Sequence, residues 1–280
     1  RRDGAQRSIP RRRGTSGWAA YRTREDEVES PAARVSLKKR APPAILSRMT
    51  ISLDEFRQDM EQLTRDMGAR AFGVADLESL QKRDAALLQR VGGGFSRAVV
   101  FGIRLQQAAL EAVVDRPTPI YFHNYRQVNY QLDSTACLVA DRIQDAGCRA
   151  LAIPASQIIG KDPMAGHISH KLLGWAAGIG FIGRNTLLVH PLHGAQVRYV
   201  SVLTDMPLRA GAPHAGDCGA CRACIAVCPA QAIGDRREDF DLGACYEKLT
   251  EFTRIPFIGQ HICGVCVKAC DGKGGGGGCG

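Results

Sequence analysis

Eight of the chain's 11 cysteines lie between Cys218 and Cys270, and their spacing limits what this part of the sequence can fold around. The first run is Cys218-x2-Cys221-x2-Cys224-x3-Cys228-Pro229, the second is Cys263-x2-Cys266-x3-Cys270, and Cys245 stands alone between them. Three thiolates two residues apart can wrap one iron–sulfur cubane, while the fourth, set off by three residues and followed by proline, points away to a second cubane. That exchange predicts two complete sets of four. Cys218, Cys221, Cys224 and Cys270 would hold one [4Fe–4S] cluster, and Cys228, Cys245, Cys263 and Cys266 the other. Gln260 occupies the slot where a second full run would begin, and Cys245 makes good the deficit. Zinc is the competing ligand for paired C-x2-C motifs, but it would leave cysteines over.

Residues 208–272 therefore read as a bacterial ferredoxin-like two-cluster module, ahead of a Gly-rich tail at 273–280 that contains Cys279. Cys137 and Cys148 fall in a helix and at a strand start, where a small buried core residue is expected. Clustered cysteines in a reducing compartment bind metal rather than pair as disulfides. No stretch reaches the roughly 18–20 apolar residues of a membrane span, and no apolar segment of signal-peptide type follows the basic N-terminus. The expected setting is cytoplasmic, with no membrane partner.

The formal charge of +9 is unevenly placed. Residues 1–48 carry 13 Lys and Arg against 5 Asp and Glu, and the remainder is nearly neutral. With Arg11-Arg12-Arg13, Lys38-Lys39-Arg40 and no sustained apolar period, residues 1–48 read as a disordered basic tail. Such an arm could touch nucleic-acid phosphates, or it could be translated sequence ahead of a natural start at Met49.

Residues 49–207 read as an α/β domain for a cofactor or substrate. Phe56, Met60, Leu63 and Met67 recur at helical spacing behind Ser52 as cap. A strand over 71–75, a helix over 77–90 and a buried strand over 97–104 follow. A long helix is predicted over 121–146, with Val128, Leu132, Val139 and Ile143 on one side and Gly147 as its stop. A strand over 148–153, a loop over 155–168, a helix over 169–178, and strands over 186–190 and 197–204 separated by a Pro191–Gly194 turn complete it.

Gly178-x-Gly180-x-x-Gly183 satisfies a dinucleotide-binding pattern in letters only. That fingerprint follows a strand and opens a helix, whereas this one closes a helix and leads into a strand. Gly178 is read as the helix cap, and Gly180 and Gly183 as points where the backbone passes close to something bulky. His167 and His170 lack a third metal ligand nearby and read as surface or capping groups. His123, Asn124, Tyr125 and Arg126 form a polar set at a helix start, where capping and substrate contact both remain open.

The stretch Ser169-His-Lys-Leu-Leu-Gly-Trp-Ala-Ala-Gly-Ile-Gly-Phe-Ile-Gly-Arg-Asn-Thr-Leu-Leu-Val-His-Pro, followed by Val202-Leu-Thr-Asp-Met-Pro-Leu and then the cysteine module, resembles epoxyqueuosine reductases and their shorter relatives over roughly residues 50–272. The resemblance implies a nitroreductase-like α/β (α+β) domain that cradles cobalamin, fused to a two-cluster ferredoxin domain. It implies electrons from a donor such as a flavodoxin or ferredoxin, and an epoxide in tRNA as substrate. Gly178, Gly180, Gly183, Arg184 and Asn185 would approach the corrin. The family's acidic proton donor opens the long helix in an Asp-Tyr-His context; here Asn124-Tyr125-Arg126 stand there, and an amide is no general acid. Asn124, Tyr125 and Arg126 are the candidate catalytic residues.

Three functional classes follow. The first is an iron–sulfur oxidoreductase relaying electrons to a corrinoid site, and the second a non-catalytic ferredoxin-type carrier docking to a redox partner. The third is a tRNA-binding module working through its basic tail.

Overall fold

The computed structural model describes residues 51–84, 86–161 and 164–272. The expectations for the basic tail, the Gly-rich tail and Cys279 lie outside the described residues.

Ser52 starts α1 (Leu53–Asp66) through a reciprocal capping box: the Glu55 amide donates to Ser52 Oγ at 3.2 Å, and the Ser52 amide to Glu55 Oε2 at 2.6 Å. Next come β1 (Ala71–Asp76), α2 (Leu77–Gln81), β2 (Arg97–Arg104) and α3 (Gln107–Glu111). The helix expected over 77–90 stops at Gln81. Asp84 then accepts a hydrogen bond from the Ala86 amide at 2.9 Å, a local turn that competes with helix continuation. Helix α4 (Pro119–Asp145) begins with Thr118 as cap and Pro119 in the first turn, and Gly147 at φ 81° supplies the left-handed exit.

Strand β3 (Ala150–Ile153) precedes a small ribbon of β4 (Gly160–Lys161) and β5 (Met164–Ala165). Then follow α5 (His170–Ala176), β6 (Phe181–Ile182), β7 (Leu188–Val189) and β8 (Val197–Thr204). The main sheet has the order β1-β2-β8-β3 and every pair is antiparallel. The strand expected at 186–190 is a two-residue piece that pairs with β6 and not with the main sheet.

Central strands β2 and β8 are apolar almost throughout because both faces are covered. Val99, Phe101, Val200 and Val202 pack with Leu132, Val139 and Ile143 of α4 in one core. Ala98, Val100 and Leu203 pack with Leu77, Leu173 and Ala176 in the other. The result is a mixed helix and sheet domain in three layers.

Beyond β8 lie α6 (Ala223–Val227), a single 3₁₀ turn (Arg237–Asp239), α7 (Leu242–Phe252) and α8 (Val265–Ala269). Helix α7 was not expected; Asp241 caps it by accepting from the Ala244 amide at 2.9 Å. Ile258, Ile262 and Val265 join the same core as Phe101 and Leu132, each burying a side chain worth about 1.5–3 kcal/mol. Lys268 Nζ donates to the carbonyls of Glu111 and Val113 at 3.0 and 2.6 Å. Helix α8 and the segment leading into it are thus fixed to the sheet domain by shared apolar packing.

Candidate metal centres and the crevice beside them

Helices α6 and α8 pack on each other and bring the two cysteine runs together. The charges acting on each thiol sort the eight into groups. Cys224 is influenced by Cys218 and Cys221, and Cys270 by Cys224, Cys218 and Cys221. Cys245 is influenced by Cys228, Cys263 by Cys245 and Cys228, and Cys266 by Cys263, Cys245 and Cys228, with Cys224 last. The two groups approach each other at Cys224 and Cys266. Burial is the leading cause of the raised thiol values, about 11 for Cys263 and about 12 for Cys270.

All eight thiols are free of disulfides. Among the described residues no three Cys, His, Asp or Glu close round a single ion; a cubane is held at its corners, with its ligands farther apart than those of one metal. Phe181, Val189, Cys218, Cys221 and Cys270 line a small cavity, giving the first group an apolar wall. In the second group the Ala232 amide donates to Cys228 Sγ at 3.4 Å. These donor sets fit iron–sulfur ligation in number, softness and surroundings.

The glycine segment lies against the first group. A Cβ on Gly178 would stand 2.7 Å from the Ala212 carbonyl oxygen, one on Gly180 would strike the Val189 carbonyl, and one on Gly183 would stand 3.4 Å from Cys218 Sγ. The bulk these glycines make room for is the chain's own backbone and the cysteine loop. Arg184 ties that loop to the segment after it, donating to the carbonyls of Cys221 and Gly219 at 2.8 Å each and to that of Asp235 at 2.5 Å. Asn185 is buried; its Oδ1 accepts from the Leu187 amide at 3.2 Å and its Nδ2 has no partner among the described residues.

The polar set at the start of α4 does not stay together, because successive residues turn about 100° on a helix. Asn124 points inward, where its Oδ1 accepts from the Gln106 amide at 3.1 Å and its Nδ2 has no partner among the described residues. Arg126 turns outward, stacks over Phe122 and Tyr130, and donates to Tyr130 Oη at 2.7 Å. Tyr125 alone reaches a further polar cluster.

There the Arg198 guanidinium sits 4.5 Å from the Tyr125 ring centre and donates to Asn129 Oδ1 at 3.1 Å and the Ala155 carbonyl at 3.0 Å. Burial pushes the Tyr125 phenol up, but the Arg198 cation and hydrogen bonds with Ser156 and Asn129 outweigh it, leaving the phenol below its usual pKa. Lys171 is ringed by protein while its side chain still meets solvent, as at the floor of a crevice. Desolvation and then Arg198 lower its ammonium, and Cys245 opposes them. Tyr121 lies between Tyr125 and the second thiol group, influenced by Tyr125, Cys266 and Cys263.

His170 lies in the same neighbourhood, since the Arg198 cation acts on it as well. Its Nε2 lies 2.9 Å from the Pro154 carbonyl and its Nδ1 2.9 Å from Ser201 Oγ, so Nε2 carries the proton and Nδ1 accepts. Burial pushes it down to about 4. His167 bonds Gln157 instead, so the two histidines do not form a metal pair. Lys171 and Arg198 escaped sequence reasoning. The signal for Arg198 was a lone guanidinium inside an otherwise apolar central strand.

No family model matches the chain. It is 35% identical over 136 residues to the epoxyqueuosine reductase of Gloeobacter violaceus, covering 45% of this chain and 40% of that protein. It is 33% identical over 154 residues to that of a Synechococcus strain, covering 52% and 43%. Against the enzyme of Aliivibrio fischeri the match extends over 258 residues, 80% of this chain and 66% of that one, at 22% identity. The chain is thus similar in sequence to epoxyqueuosine reductases over about half of its length.

The first two of these relatives are covered over less than half of their own length. Among solved structures, the chain shares a fold with a reductive dehalogenase described as B12-dependent, at a TM-score of 0.58 and 18% identity over 75% of this chain and 31% of that one. A catabolic reductive dehalogenase in complex with 3-bromo-4-hydroxybenzoic acid gives 0.57 at 19% identity, with the same coverage.

Proposed function

We propose that this chain is an iron–sulfur oxidoreductase that passes electrons through two [4Fe–4S] clusters to a substrate-reducing corrinoid beside Tyr125, Lys171 and Arg198. The observation that carries the reading is the sorting of eight thiols into two groups of four, with the polar crevice adjoining the second group. Cys218, Cys221, Cys224 and Cys270 would hold one cluster, and Cys228, Cys245, Cys263 and Cys266 the other. The nitroreductase-like and ferredoxin-like organisation belongs to the same proposal, as does a cytoplasmic setting.

When bound, a corrinoid supplies the low-potential centre that takes single electrons and delivers them to an electrophilic carbon. Support for it is the likeness to epoxyqueuosine reductases and the fold shared with a B12-dependent dehalogenase. We place it on the side of Tyr125, Lys171 and Arg198 and not against the glycine segment, since Gly178 and Gly180 are already closed off by the chain's own backbone and Gly183 by the side chains of Val189, Asn185 and Cys218.

The chain's own residues have separable tasks there. Tyr125 holds a proton on an acidified phenol and takes the general-acid role that the amide of Asn124 is unable to fill. Arg198 stabilises the phenolate left behind. Lys171, with no hydrogen-bond partner among the described residues, is free to bind an anionic or carbonyl group of the substrate. An epoxide-bearing nucleoside in tRNA is the substrate that the relatives' name suggests.

The test is anaerobic titration of the cluster-reconstituted full chain with cob(II)alamin, read by electron paramagnetic resonance. A stoichiometric change in the cobalt signal to a base-off form is expected. An unchanged signal with both clusters present would sink the corrinoid and leave a ferredoxin-type carrier, whose crevice would serve partner docking.

A further inference from the structure

A cleft of about 580 Å³ is lined by Gly68, Arg70, Arg104, Leu105, Gln107 and His193, none of which belongs to the crevice. No lining residue is acidic. Arg70 and Arg104 are exposed, and neither forms an ion pair among the described residues. Arg104 is held in place by Gln107 Oε1 and Gln196 Oε1, each at 3.0 Å, and Gln196 in turn donates to the Lys268 carbonyl at 3.1 Å. Both arginines act electrostatically on His193, so the three side chains share one neighbourhood.

The wall that carries His193 is also the wall of the first thiol group. His190 and Gly194 form a tight bridge, the Ala195 amide donates to the Cys270 carbonyl at 3.0 Å, and a Cβ on Gly272 would stand 3.0 Å from the His193 amide nitrogen. Gly272 lines the cavity of Cys218, Cys221 and Cys270. At the tip of the same hairpin Leu192 is 77% exposed. An exposed apolar side chain next to His193, on the wall of a cleft whose two guanidinium groups form no ion pair among the described residues, is the layout of a protein-docking surface with a charged rim.

From this arrangement we infer that the Arg70–Arg104–His193 cleft and Leu192 form the docking surface for an acidic electron-carrier protein, which reduces the cluster of Cys218, Cys221, Cys224 and Cys270. This rests on the cluster reading above and adds a direction to it. The carrier gives up one electron and the nearer cluster takes it, with no atom transferred; the electron then crosses at Cys224 and Cys266 to the cluster beside the crevice. The cleft and the Tyr125, Lys171 and Arg198 group share no residue, so donor and substrate do not compete for the same side chains. Apolar Leu192 favours a protein over a nucleic acid, whose phosphates would use the arginines and leave that leucine bare.

The experiment is stopped-flow reduction of the reconstituted full chain by reduced flavodoxin and, separately, by dithionite, in the wild type, Arg70→Glu and Arg70→Glu/Arg104→Glu. Arg70 makes no side-chain hydrogen bond among the described residues, so its single variant tests charge without loss of packing. Expected are a flavodoxin rate constant that falls with salt in the wild type and drops about tenfold or more in the double variant with a flatter salt dependence, and dithionite rates that do not change. Equal flavodoxin rates in all three proteins would overturn the inference. So would unchanged flavodoxin rates with loss of binding to a tRNA stem-loop, which would assign the cleft to nucleic acid. Iron content separates the two readings: a wild type without clusters refutes the cluster proposal, whereas full clusters with insensitive rates refute only the docking surface.

Discussion

The Arg198 guanidinium stands 4.5 Å from the centre of the Tyr125 ring, and the two residues arrive there from a central strand and the longest helix. This pairing sets the protonation of the crevice. Replacing Arg198 by Met should raise the Tyr125 phenol pKa, measured by ultraviolet difference titration against a Tyr125→Phe control. Tyr125→Phe should lose turnover by 10²-fold or more, an order of magnitude set by general-acid catalysis, while retaining both clusters. Retention of full turnover by Tyr125→Phe would remove the phenol from the mechanism.

Cys245 tests the ligand sets separately. As a lone cysteine on α7 it belongs to the group of Cys228, Cys263 and Cys266. Cys245→Ala should lower iron from about eight to about four per chain, with the remaining cluster still reducible. Loss of all iron in a folded variant would show that the two sets do not assemble independently.

His170 makes stability depend on pH. Its pKa is held at about 4 against an ordinary value of 6.5, so between those values the unfolded chain binds more protons than the folded one. Its contribution is fully present above pH 6.5 and is lost as pH falls towards 4, by about 3 kcal/mol in all. Denaturant melts of wild type and His170→Gln across that window should show the slope only in the wild type. Identical slopes would place the acid sensitivity elsewhere.

Arg184 reaches two carbonyls of the cysteine loop, those of Gly219 and Cys221, and a third at Asp235. Arg184→Ala leaves those carbonyls to solvent and should cost about 2–3 kcal/mol, given the strength of charge-assisted bonds and partial exposure. Iron release to a chelator should accelerate, and the Cys218 set should empty first. An unchanged release rate would make Arg184 a bystander to cluster retention.

Gly180→Ala offers a packing test, because the added methyl would strike the Val189 backbone. Backbone cannot yield as a flexible side chain does, so a loss of several degrees in Tm is expected. A neutral result would mean that the β6–β7 ribbon shifts freely.

Much of the local structure was legible because it is local. Ser52 and Glu55 cap each other across three residues, Gly147 ends α4 in a conformation that side chains rarely adopt, and β2 and β8 are runs of apolar residues. Helix α2 was overextended because the turn at Asp84 is built by one side-chain hydrogen bond that periodicity does not register. Helix α7 was missed because its apolar face is narrow and only Phe252 is fully buried.

The sequence by itself determined the inventory: eight cysteines at cubane spacing, a long helix over about 121–146, and two largely apolar strands. Covalent spacing and short-range hydrogen bonds suffice for those. Tertiary structure alone decided that Tyr125 and not Asn124 meets Arg198, that the glycine segment faces the chain's own cysteine loop, and that Arg70, Arg104 and His193 share one cleft. Each of those depends on which faces of the helices and strands are buried against one another, and that is set by packing between residues far apart in the chain.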